Sequence, residues 1–246
     1  MDEVERENQQ QRVSVIFLHI PKTAGRTLQD VLDRKYKRSE AFSIDPNRVR
    51  ESTEEFKGLP YDQRSKIRLL KGHMPFGLHE FLPNQSTYVT ILRNPIDRII
   101  SHYYYVIRHP NHHLYNKVKY NKLSLKGYVA SGISIELDNF QMRSLAGATD
   151  LGFGKCSSEL LEQAKCHLQS HFTVVGLTER FDETLILMKR DLQWHTPPFY
   201  TELNVSRNRP LLEDIPRDTL DLIEKYNELD CELYEYTRKI FQQKIE

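Results

Sequence analysis

Three short apolar runs shape what this chain can fold into. Val13 to Leu18, Ile67 to Leu70 and Thr87 to Leu92 each give way at once to a turn of Pro, Gly, His or cationic residues. Runs of four to six residues rich in Val, Ile, Leu and Phe, with no alternation, read as strands covered on both faces. Behind the first run, Leu28, Val31 and Leu32 have the i, i+3, i+4 spacing of a helix that packs on a sheet. A fourth run, His171 to Leu177, is followed by a helical stretch from Glu179 to Leu192. Strands alternating with helices predict an α/β fold: a central, mostly parallel sheet flanked by helices, with ligands beyond the carboxyl ends of the strands. The 246 residues suit one large domain, expected over 13–246 behind a polar, disordered lead-in at 1–12.

The turn after the first run reads His19-Ile20-Pro21-Lys22-Thr23-Ala24-Gly25-Arg26-Thr27-Leu28. A helix that starts here leaves outward N–H groups without intrahelical partners, and its dipole adds partial positive charge. Lys22 supplies a full charge, Gly25 removes a Cβ that would hold a phosphate away, and Thr23 and Thr27 offer hydroxyls. An ordinary solvated connection is the plain alternative. A Walker A loop needs Gly, four residues, then Gly-Lys-Ser/Thr, whereas here Lys22 precedes the only nearby Gly. The spacing therefore predicts an anion cradle but not an ordinary ATP or GTP site.

Two further strand ends point to the same edge. His73 lies just past the second run, and Arg93-Asn94-Pro95 closes the third, with Asn94 as N-cap and Pro95 at N1 of a helix reaching about Arg108. A cation at a helix start opposes the dipole, so an anion beside Arg93 explains it better than a bare surface charge. Ser101, two turns on, offers a hydroxyl. The rest of the chain is less regular. Residues 37–65 read as a loop with one short helix, an insertion above the sheet, and 109–122 as a basic, aromatic loop. Short helices are expected at 123–131, 136–145 and 157–169, a long crossing loop at 193–215, and helix from 218 to 245.

Composition excludes several classes. A formal charge of +1 with 10 neutral His gives no global field for nucleic acid. No run approaches the roughly 18 to 20 apolar residues of a membrane span, and the polar first dozen residues lack the core of a signal peptide. The expectation is a cytoplasmic protein without nucleic-acid or membrane partners, barring an anchor outside this sequence. Cys156, Cys166 and Cys231 are an odd number without metal-type spacing, as for reduced structural thiols. His102, His109, His112 and His113 lack clustered carboxylates and read as a polar rim rather than a metal site.

In order, HIPKTAGRTL and ILRNPIDRIISHYYY resemble the two donor-binding signatures of sulfotransferases that use 3′-phosphoadenosine 5′-phosphosulfate. The intervening GHMPFGLHE and the later ELDNFQMRSLAG resemble the branch of heparan and uronyl 2-O- and 6-O-sulfotransferases, particularly its short bacterial relatives. The resemblance runs from Val13 to Gly147 and weakens beyond. It implies a single P-loop-like domain, that nucleotide as donor, no metal, and a hydroxyl-bearing acceptor, with a saccharide expected. By position, Lys22 would contact the oxygen bridging sulfur and phosphorus. Thr23, Ala24, Gly25, Arg26 and Thr27 would bind the 5′-phosphate, and Arg93 and Ser101 the 3′-phosphate. His73 would be the catalytic base, with His79 as competitor, and Arg207 and Arg209 would belong to a loop closing over the nucleotide. Asp138 to Arg143 either lines the pocket or is a plain helix. Two other functions stay open: a P-loop-type kinase, and a non-catalytic nucleotide-binding protein.

Overall fold

Ser14–Leu18 form β1, and all five residues are buried because the strand is bonded on both sides and covered on both faces. The computed structural model describes residues 13–201 and 210–246; the lead-in and the expected cofactor loop with Arg207 and Arg209 lie outside the described residues. Four more strands complete a sheet: β2 (Ala41–Ser43), β3 (Leu69–Gly72), β4 (Ser86–Leu92) and β5 (Phe172–Leu177). Their order is β2-β3-β1-β4-β5 and every pairing is parallel. From β1 the chain runs to the edge strand β2, returns to place β3 between them, then crosses to build β4 and β5 outward on the other side. The resulting switch point lies at the carboxyl ends of β1, β3 and β4, where open α/β sheets bind ligands.

Helices α1 (Gly25–Lys35), α2 (Val49–Lys57), α3 (Tyr61–Arg64), α4 (Pro95–Val106), α5 (Tyr115–Tyr120) and α6 (Leu125–Ala130) belong to the first half. After them come α7 (Phe140–Ala146), α8 (Ser158–His171), α9 (Phe181–Asp191), α10 (Arg217–Tyr226) and α11 (Glu228–Ile245). The main core gathers Phe17, Leu18, Leu28, Leu70 and Ile91 with other apolar side chains around the sheet. A second core joins Ile99, Ile100 and Val106 of α4 to Val118, Tyr128 and Ile223. Each fully buried side chain of this size contributes about 1.5–3 kcal/mol, so this second core anchors α5, α6 and α10 as an outer wall above the sheet edge.

Three expectations need correction. Residues 37–65 are not an insertion above the sheet, since Ala41–Ser43 pair with Leu69–Lys71 as its edge strand. Only three residues long and half-exposed, β2 carries no apolar run to betray it. Within 109–122, Tyr115–Tyr120 is helical, and its buried Val118 belongs to the second core. The C-terminal helix breaks at Asn227, whose side chain donates to Leu137 O (3.0 Å) and accepts from Asn139 N (3.2 Å). That break is a tether: Asp230 then accepts from Gln141 N and Met142 N at 3.1 and 2.7 Å, capping α7 from a distance.

Candidate active site

The turn after β1 is wound tightly. Lys22 and Ala24 both have left-handed backbones, φ 70° and 60°, and Ala24 is the N-cap of α1. Non-glycine residues held there cost of order 1–3 kcal/mol each and cluster where backbone N–H groups must converge. Thr23 donates its hydroxyl proton to Ile20 O at 2.9 Å, so that proton stiffens the turn. Gly25 has a use the sequence did not suggest: a Cβ there would lie 2.0 Å from the His19 ring. The missing Cβ makes room for a histidine.

His19 joins this turn to the next. Its buried ring stacks on Phe17 (5.3 Å between centroids) and on His73 (4.2 Å). Burial, then the charges of His73, Arg26 and Lys22, push its pKa well below the ordinary value. His73 Nδ1 lies 2.7 Å from His19 O. A carbonyl only accepts, so Nδ1 carries the proton, and the neutral ring is left with a lone pair on Nε2. Burial also lowers the pKa of His73, while the bond to His19 and the charge of Glu136 act the other way.

These turns open on a cavity of about 980 Å³ lined by Lys22, Arg26, His73, His102, Tyr105 and Glu136, among others. Lys22 Nζ lies 3.9 Å from the centroid of the Tyr105 ring. Its pKa is brought down to about 8 by burial first, then by Arg93, Arg108 and Arg26, with Glu136 opposing them. Several cations around a single carboxylate make a wall suited to a polyanion. A second cavity, about 760 Å³, begins at Val15, Ser86 and Phe172, at the opposite, amino-terminal edge of the sheet, away from the three turns.

Arg93 and Ser101 do not line the larger cavity. Arg93 Nη1 donates to Lys22 O at 3.2 Å, which ties the β4 turn to the β1 turn, while Ser101 is 4% exposed on α4. Asn94 caps α4 by accepting from Ile96 N and Asp97 N at 3.0 and 3.2 Å. Gln141 grips Arg93 on both sides, accepting from its N–H and donating to its C=O, each at 2.9 Å. The stretch from Asp138 to Arg143 is therefore mainly a brace. Buried Arg143 pairs with Asp138 and donates to Leu151 O and Gly152 O at 2.7 and 2.8 Å. His79 sits outside the cavity, its Nδ1 3.1 Å from Tyr88 OH and its ring 4.7 Å from His171. Of the two candidate bases, His73 lines the cavity and His79 does not.

Glu136 was not anticipated, nor was His19. His19 opens the turn motif, where the sequence alone gives its ring no role. Glu136 sits in the short helical turn Ile135–Leu137 and opens the ELDNFQMRSLAG stretch, whose reading centres on Asp138 to Arg143 and gives Glu136 no role. Its carboxylate lies 2.8 Å from His102 Nε2. Burial works against the charge, yet His102, Arg98 and His73 bring its pKa to about 2.

Among the described residues no helix is long and apolar enough to cross a membrane, and no three His, Cys, Asp or Glu gather to hold a metal ion. The family model described as galactose-3-O-sulfotransferase matches residues 3–246. Heparan-sulfate 6-O-sulfotransferase 1 of Cricetulus griseus is 26% identical over 278 residues, covering 94% of this chain and 68% of that protein. Human galactosylceramide sulfotransferase is 27% identical over 254 residues, covering 96% of this chain and 59% of its own length. Human galactose-3-O-sulfotransferase 2 is 23% identical, with 70% and 44% covered. The chain thus spans between under half and about two thirds of these relatives. A crystal structure of mouse sulfotransferase SULT7A1 complexed with PAP aligns with a TM-score of 0.44 at 13% identity, over 94% of this chain and 71% of that one. The resemblance carried by the paired motifs is met by the 6-O-sulfotransferases, and the family model adds a galactose branch that the motifs did not single out. With nearly every residue matched, the chain belongs to the galactose-3-O-sulfotransferase family.

Proposed function

We propose that the protein transfers a sulfuryl group from 3′-phosphoadenosine 5′-phosphosulfate to a hydroxyl of a saccharide acceptor, with His73 as general base and Lys22 at the leaving group. The observation that carries this reading is the Nδ1 contact of His73 with His19 O, which leaves Nε2 unprotonated in a ring lining the same cavity as Lys22. His73 Nε2 takes the proton of the acceptor hydroxyl as its oxygen bonds to sulfur. The bond from sulfur to the bridging oxygen breaks, and its electron pair stays on the phosphate. Lys22 and the N–H groups of the β1 turn stabilise the charge that grows there.

The residues fit such a donor. Strained backbone at Lys22 and Ala24 aims a helix start into a cavity whose nearby cations include Arg26 and Arg93. Arg93 and Ser101 are proposed for the 3′-phosphate on the strength of the second motif and of the bond from Arg93 to the Lys22 carbonyl. Relatives named for heparan sulfate, galactose and galactosylceramide support a sugar hydroxyl as acceptor. The test is thermal shift with 3′-phosphoadenosine 5′-phosphate against ADP and ATP. Stabilisation by the 3′-phosphorylated nucleotide well beyond the other two is expected; equal stabilisation by all three would overturn the reading.

A further inference from the structure

Glu136 stands out because a carboxylate is the wrong charge for a cavity that binds an anionic donor. A negative group beside a phosphosulfate repels it, so Glu136 must serve the other half of the reaction or serve only to balance charge. The way it is held speaks for the former. Its N–H donates to Ser134 Oγ at 3.2 Å, its C=O accepts from Nη2 of the fully buried Arg98 at 2.7 Å, and one carboxylate oxygen lies 2.8 Å from His102 Nε2. His102 is oriented in turn: Tyr128 OH is 3.1 Å from its Nδ1. An ionised carboxylate only accepts, so the close contact turns a proton on His102 Nε2 toward it, while Tyr128 OH holds the other ring nitrogen. The Ser134 and Arg98 bonds fix the backbone of Glu136, and His102 orients its carboxylate.

A carboxylate has about four acceptor positions on its two oxygens. Among the described residues, His102 is the one side chain that reaches it, and it does so through Oε2. The side chain keeps 21% exposure and faces the cavity that His73 also lines. Capacity to accept hydrogen bonds is therefore held ready in the cavity that His73 lines, close enough for the charge of Glu136 to act on His73 and on Lys22. Lys22, Arg26 and Lys71 line the same cavity, and the titratable groups on the α4 side of it are His102, His109, His112 and His113. Burial, then His113 and His102, bring His112 down to about 4, so it adds no charge at neutral pH.

We infer that Glu136 is a specificity-determining residue that accepts hydrogen bonds from the hydroxyls of an uncharged sugar and excludes a sugar bearing a carboxylate. The chemistry is that of carboxylate-to-diol recognition: O–H donors satisfy the free oxygen, whereas an anionic ring meets like charge across a desolvated gap. The inference rests on the reading of this cavity as a saccharide acceptor site, and it deepens that reading by naming the class of sugar.

The test is direct binding without donor, so that it does not depend on turnover. Methyl β-galactopyranoside and methyl β-galactopyranosiduronate are titrated into the full chain by NMR, with wild type, Glu136→Gln and Glu136→Asp. Wild type is expected to bind the neutral glycoside at least ten-fold more tightly, Glu136→Gln to lose that preference, and Glu136→Asp to keep it at reduced affinity. A thermal melt shows that each variant is folded. Equal affinity of wild type for both glycosides, preference for the uronide, or a preference that survives Glu136→Gln would overturn the inference. So would equal weakening of both ligands, the mark of a merely structural role. Donor binding is measured in parallel: if 3′-phosphoadenosine 5′-phosphate fails to bind wild type while the sugar preference holds, the donor assignment falls and Glu136 keeps its role.

Discussion

In the proposed mechanism, two side chains with opposite protonation needs set the working pH. His73 must be unprotonated and burial lowers its pKa, so the acid limb of the rate falls below the ordinary histidine value of about 6.5. Lys22 must be charged, and in the free protein it loses its proton near 8. kcat/KM is therefore expected to be bell-shaped, with an alkaline limb near pH 8. That limb should move higher in kcat, because bound phosphates favour the ammonium; stopped assays from pH 5 to 10 check both limbs. Lys22→Ala is expected to lower kcat by about 100-fold or more, the usual effect of removing a preorganised donor at developing charge. It should remove the limb near pH 8 as well. A Lys22→Ala enzyme with an unchanged alkaline limb would move the leaving-group role to another residue.

The elements that carry these residues are braced by contacts far apart in sequence. Gln141 holds Arg93 by two hydrogen bonds of about 1 kcal/mol each. Gln141→Leu is thus expected to weaken 3′-phosphoadenosine 5′-phosphate by about ten-fold and to leave adenosine 5′-phosphosulfate unaffected, as read by calorimetry. Gly25→Ala forces a methyl against the His19 ring. Overpacking of this kind costs about 1–3 kcal/mol, or a melting temperature lower by roughly 2–10 °C for a chain of this size. The strand ends of β1, β3 and β4 were legible because apolar runs stop abruptly at polar turns. The edge strand β2 was not, since three half-exposed residues carry no period and find their place only by pairing with β3. Likewise α5 is a helix because Val118 drops into a core supplied by α4 and α6, while its own residues are mostly polar and basic. Glu136 escaped notice for a related reason. Its carboxylate acquires meaning from His102 and its backbone is held by Arg98, both of which reach it from α4.

At the scale of the whole molecule, the histidines that build the site also load the fold at low pH. His19, His73 and His112 all have lowered pKa values, with burial as the first cause. The unfolded chain takes up these protons near pH 6.5 and the folded chain does not, so stability is whole above that value and declines below it, the share of His112 being spent near pH 4. Glu136 acts in a later window: held at about 2 against an ordinary 4.5, it adds stability above 4.5 that is lost as the pH falls toward 2. Scanning calorimetry is expected to find a melting temperature that is level from pH 8 to 7 and falls from 6.5 to 4; a level trace down to pH 5 would contradict this. The stack of His19 on His73, with Gly25 beneath it, has a different kind of consequence. The turn proposed to grip the donor and the histidine proposed to deprotonate the acceptor are one mechanical piece, sharing a ring and a carbonyl. The wall of α4 to α6 hangs from a core of its own. Descendants of this fold can therefore change which sugar they modify by redecorating that wall, and a change of donor must begin by dismantling the base.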